Sequence, residues 1–108
     1  VTLNDVQFTE AARVFAARIL HQNLSDQERL QWAFSETLSR QPSASELKVL
    51  ERTLARERQR YEKDPNRAQL ALKVGETPPD STLNPVQQAA WMQVASLLFN
   101  LSETITRN

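Results

Sequence analysis

Between Asn84 and Leu101 the chain runs NPVQQAAWMQVASLLFNL without one charged residue. At about 100° per residue, Val86, Ala90, Trp91, Val94, Leu97, Leu98 and Leu101 fall on one broad arc of a helix. Ala95, Met92 and Phe99 widen that arc, and Gln93, Ser96 and Asn100 fill the remaining strip. A helix apolar around so much of its circumference needs neighbours to cover it. Its start is marked as well. Asn84 suits the cap, Pro85 suits the first helical position because its missing N–H has no intrahelical partner there, and Gln87 is placed to reach back as in a capping box. The expected fold class is therefore all-α: a compact bundle of about five helices around a buried C-terminal helix.

Four two-faced helices are expected to supply the cover. In Leu3-Asn4-Asp5-Val6-Gln7-Phe8, Asn4 is the predicted cap, Asp5 complements the helix dipole, and Leu3 is placed to staple onto Phe8. The helix should run to about Gln22, with Phe8, Ala11, Ala12, Phe15 and Ile19 inward and Glu10, Arg13 and Arg18 away from the centre of that face. Ser25-Asp26-Gln27-Glu28 is a capping box that opens a second helix to about Ser39, buried along Leu30, Ala33, Phe34, Thr37 and Leu38. It should stop before Pro42, since the residue preceding a proline is pushed out of the helical region. Ser43-Ala44-Ser45-Glu46 repeats the box and opens a long third helix to about Lys63, with Leu47, Leu50, Leu54 and Tyr61 inward. Arg58 falls in the same arc, so it should either meet a carboxylate from another helix or extend past the edge of the core. Asp64-Pro65 restarts a short helix that Gly75 is suited to end in the left-handed conformation, and GETPPDSTLN, residues 75 to 84, is the one clear loop.

The length of 108 residues fits one helical domain with a single core. With 13 basic and 13 acidic residues, no global field draws the chain to nucleic acid or an anionic membrane. Specific nucleic-acid binding is not expected. The uncharged run from Ser81 to Ser102 is long enough to cross a bilayer, but Gln87, Gln88, Gln93, Ser96 and Asn100 interrupt it too often for a membrane span. The chain has one glycine and no cysteine, which removes a glycine-rich phosphate cradle, disulfides and thiolate chemistry.

Local features offer few chemical candidates. Lys48, Arg52, Arg56 and Arg60 recur at four-residue spacing and form a basic stripe opposite the leucines of the third helix, a candidate anion-binding surface with Lys63 and Arg67 nearby. A solvated face is the favoured reading, because Lys48 with Glu51, Glu57 with Arg60 and Arg58 with Glu62 offset part of the like-charge repulsion. Helices two and three resemble a helix-turn-helix in outline. However, Ala44-Ser45-Glu46-Leu47 puts no arginine, asparagine or glutamine where base edges would be read. His21, the only histidine, is expected to meet the carbonyls ending the first helix, and no paired-histidine spacing suggests a metal. No serine has an identifiable base, so no catalytic residue is proposed. Trp32 lies opposite Phe34 on its helix and is expected to pack beneath loop 76–83 or, failing that, to anchor an interface.

Three segments carry a family likeness: LNDVQFTEAARVFAARIL, WAFSETLSRQPSASELKVL and AAWMQVASLLFNLSETITRN. In that order and spacing they resemble the C-terminal part of the planctomycete-specific domain of unknown function, which follows cytochrome-c-like modules in large planctomycete proteins. Trp91, Ala95, Leu97, Leu98, Asn100 and Leu101 match the family's pattern, while Ser102 stands where an acidic residue usually follows the Asn-Leu pair. The resemblance implies an excised fragment of a larger, exported multidomain protein and an extracytoplasmic location, and a start at Val1 just before the first cap suits that reading. It transfers no catalytic residue. Without a Cys-X-X-Cys-His motif the segment cannot hold haem covalently, and no cofactor is expected within it. The expected role is a non-catalytic structural or interaction module whose partners are other domains of its parent, with anion binding by the basic stripe as the alternative.

Overall fold

Both serine boxes form. Ser25 and Ser43 each accept from the backbone N–H three residues on, while Glu28 and Glu46 accept from the cap N–H in return. These reciprocal bonds satisfy two otherwise orphaned donors at each helix start, which fixes where α2 (Asp26–Leu38) and α3 (Ala44–Lys63) begin. The computed structural model describes residues 5–106. Within them α1 spans Asp5–Leu20, α4 Pro65–Leu72 and α5 Pro85–Thr106, and no strand occurs among the described residues. The cap at Asn4 and the staple from Leu3 lie outside the described residues.

Helix α5 packs against each of the other four. Ala89, Ala90, Trp91, Met92, Val94, Ala95 and Leu98 are all buried, so the helix is covered on several sides. Phe15 and Ile19 of α1, Leu30 and Phe34 of α2, Leu50, Leu54 and Tyr61 of α3, and Leu72 of α4 close the core around it. Leu101, expected on the buried arc, is exposed. Asn84 accepts from the Gln87 N–H as a cap should, but the Gln87 side chain does not complete a box. It accepts instead from Arg58, 2.8 Å away.

Helix ends follow local chemistry more than the nearest proline or glycine. α2 stops where Ser39 turns left-handed (φ 58°) and its N–H bonds to Ser35 O. α4 ends at Leu72 rather than at Gly75, although Gly75 does adopt the left-handed conformation (φ 72°) three residues later. There the chain crosses against the Glu10 carboxylate, leaving no space for a Cβ.

What holds that crossing was not visible in the helical pattern. Arg13, expected away from the inward face, is 2 % exposed. Its guanidinium donates to the carbonyls of Val74, Thr77 and Pro78, while Glu10 accepts from Thr77 N–H and ion-pairs with Arg13. A loop rich in proline has few internal partners for its carbonyls, and a charged fork of donors satisfies several at once. Gln88 adds a bond from α5 to Asp80 O, and His21 pairs with the Asp80 carboxylate at 2.7 Å. His21 therefore meets the loop rather than helix-terminal carbonyls. That contact, together with Thr82, holds the Asp80 carboxyl down at about 2.

Candidate functional site

Helices α1 and α2 are joined by a short turn yet do not close on one another along their length. Phe15 of α1 stacks on Trp32 of α2 at 6.0 Å near the turn. Farther out, Phe99 of α5 rises between the helices, stacked on Phe15 at 5.5 Å and edge-on to Phe8 at 5.9 Å. The result is a groove of about 540 Å³ with Phe15 and Phe99 in its floor. Gln7, Ala11, Val14 and Arg18 form the α1 wall, Glu36 and Thr37 the α2 wall, and Thr77 and Glu10 one end. Ser102 ties α5 to this edge by donating to Thr37 O at 3.2 Å.

The seven aromatic residues divide accordingly. Phe34, Tyr61 and Trp91 are sealed in the core, whereas Phe8, Phe15, Trp32 and Phe99 form one connected stack beneath the groove. Trp32 is half-buried and lies against Phe15. The Arg18 guanidinium lies over both rings, 5.6 Å from the Phe15 centroid and 5.7 Å from that of Trp32. The loop is held to α1 through Arg13, which donates to its carbonyls, and only Thr77 of it reaches the end of the groove.

The basic stripe remains on the outside of α3. Lys48, Arg52, Arg56 and Arg60 are all exposed. Arg60 is tied to Glu57 at 3.1 Å and lies over the Tyr61 ring, and Arg56 approaches the same carboxylate at 3.8 Å. Glu57 is itself buried and holds Arg60 close to the bundle, while Arg56 stays largely in solvent. Lys48 and Arg52 form no ion pair among the described residues. Arg58 turns away from Glu62 and forms a two-pronged pair with Asp26 of α2 at 2.6 and 3.0 Å. That guanidinium, with help from Arg29, holds the Asp26 carboxyl below its ordinary value. Nowhere among the described residues do three His, Cys, Asp or Glu side chains gather as a metal site requires. No helix among them is long and apolar enough to cross a membrane.

Fold and surface together define an all-helical domain whose polar groups serve caps, loop anchoring and interhelical pairing, with an open aromatic groove between two helices. Comparison with known families then places it. The chain belongs to the PSD1 family, described as a protein of unknown function (DUF1553), whose model matches residues 1–54, from the start of the chain to the middle of α3. Neither the curated proteins nor the solved structures contain a match.

The matched half carries the α1 and α2 walls of the groove, and Phe99 in its floor lies outside that half. Sequence reasoning had marked Phe8, Phe15 and Phe99 as core-facing and missed the groove. Helical periodicity states which way a side chain points, not whether two helices splay apart in front of it.

Proposed function

We propose that this chain is a non-catalytic helical interaction module within a larger exported multidomain protein, with the α1–α2 groove as its docking surface. The observation that carries this reading is the partly open aromatic stack, Phe8, Phe15, Trp32 and Phe99, under an apolar strip that includes the 43 % exposed Val14. Clustered aromatics at a concave, half-desolvated surface are what dominant contact residues at protein interfaces look like. The family resemblance supports the multidomain, exported setting, and the module is read as needing no cofactor of its own.

Hydrogen exchange tests it. Backbone amides of residues 11–18 and 32–37 should exchange more slowly in the full parent protein than in the isolated chain. Equal exchange in both would remove the groove from any interface.

Anion binding by the α3 stripe is the second reading, and the unpaired, exposed Lys48 and Arg52 favour it. It calls for polyphosphate or nucleic-acid affinity that falls steeply with salt. The interaction reading calls for none.

A further inference from the structure

Several charged groups of the bundle are answered within the chain. Arg13 is paired with Glu10, Arg58 with Asp26, Arg40 with Glu46, Arg60 with Glu57 and His21 with Asp80. Arg18 on the α1 wall rests on aromatic faces and has no carboxylate partner among the described residues. Glu36 on the α2 wall pairs with no cation among the described residues. Ala11, Val14, Phe15 and Phe99 lie with them along the groove.

An occupant that covered the apolar strip without answering those charges would strand both away from water, and an uncompensated charge is costly in a desolvated interface. The occupant must therefore bring an acid to Arg18 and a base to Glu36. A copy of the same face, related by a two-fold axis, brings both in one operation, since every contact across such an axis occurs twice with the roles exchanged. The exposed Val14 and Arg18 sit one turn apart on α1, so one face of that helix presents both an apolar and a charged contact.

We propose that the α1–α2 face is self-complementary and takes a second copy of this chain, Arg18 of each copy meeting Glu36 of the partner subunit while the Val14 turns fill the two grooves. This rests on the reading of the groove as an interaction surface and names its occupant.

Charge reversal across a dimer provides the test. Sedimentation velocity of the chain from micromolar to millimolar concentration should show a monomer–dimer equilibrium. Arg18→Glu and Glu36→Arg should each weaken it by at least about tenfold, because each places like charges opposite one another. The double variant should restore it. Mixing the two single variants should also give a heterodimer tighter than either homodimer, since both cross-axis pairs are then complementary. Both positions are exposed, so the variants should keep the wild-type circular dichroism, with Arg18→Glu, which also loses its contacts over Phe15 and Trp32, lowering the melting temperature more than Glu36→Arg. A chain monomeric throughout the range, or a dimer indifferent to the reversals, overturns the proposal. If the groove is nonetheless protected in the parent protein, a neighbouring domain occupies it and the interaction reading stands without the second copy.

Discussion

The α1–α2 groove and the outer face of α3 are both open to solvent, and they are built from opposite materials. The α3 face is a ladder of long charged side chains in which a buried Glu57 holds Arg60 while water solvates the rest. The groove is floored by Phe15 and Phe99, backed by Phe8 and Trp32, and bordered by a cation and an anion that form no ion pair among the described residues. A regular charge stripe stands out in a sequence because its period is that of a single helix. Yet exposed charges lose little by staying in water, and pairs among them contribute at most about 1 kcal/mol. The groove has no period of its own, because its residues come from three helices. Its apolar floor gains from being covered. Surface charge density is thus a poor guide to where this molecule has binding energy to release.

Four experiments sharpen or break that contrast. Trp91 is fully buried in the helix that backs both faces, so Trp91→Ala should destabilise the domain by about 3–5 kcal/mol in urea unfolding. An unchanged midpoint would refute α5 as the common core. Phe99→Ala removes two ring contacts from a half-buried position and should cost less, about 2 kcal/mol, while leaving the α3 face unaltered. If it were neutral, the groove floor would be no better built than the stripe.

The Arg58–Asp26 pair falls between these extremes. Its carboxyl titrates lower when folded than when unfolded, so its contribution is fully present above the ordinary value of 3.8 and is lost as pH falls through the folded value. Asp26→Asn should therefore flatten the acid limb of stability below about pH 4 and change its shape little near neutrality. Partial exposure keeps the amplitude modest. A variant with the same acid limb as the wild type would mean that the pair does not persist in solution. Smallest of all should be the combined Lys48→Gln, Arg52→Gln and Arg56→Gln variant, within about 0.5 kcal/mol per site in stability and without effect on dimerisation. Loss of dimer in that variant would move the interface from the groove to the stripe.

Much of the architecture was readable from local chemistry. The Ser25 and Ser43 boxes, Pro65 at the start of α4 and the uncharged run that forms most of α5 each act within a few residues of themselves, and all appear where expected. Arg58 was readable in part: its place in an apolar arc required a partner, but Asp26 is 32 residues away in sequence and nothing local selects it over Glu62. Arg13 was misread because the helical wheel places it by angle from the α1 stripe, whereas its burial is imposed by a loop more than 60 residues later that needs donors. The same cause misplaced His21. Once Arg13 claims the loop, Asp80 comes within reach of His21.

The sequence by itself determined that this chain is helical, where α2, α3 and α4 begin, and that its last helix is the buried one, since capping bonds and amphipathic period depend on neighbours three or four positions apart. Only the tertiary structure decided that α1 and α2 part over Phe99 and that Arg18 and Glu36 border the opening. Those outcomes depend on how whole helices pack side by side, and the competition among distant donors, acceptors and rings that settles them has no signature at the spacing of a turn.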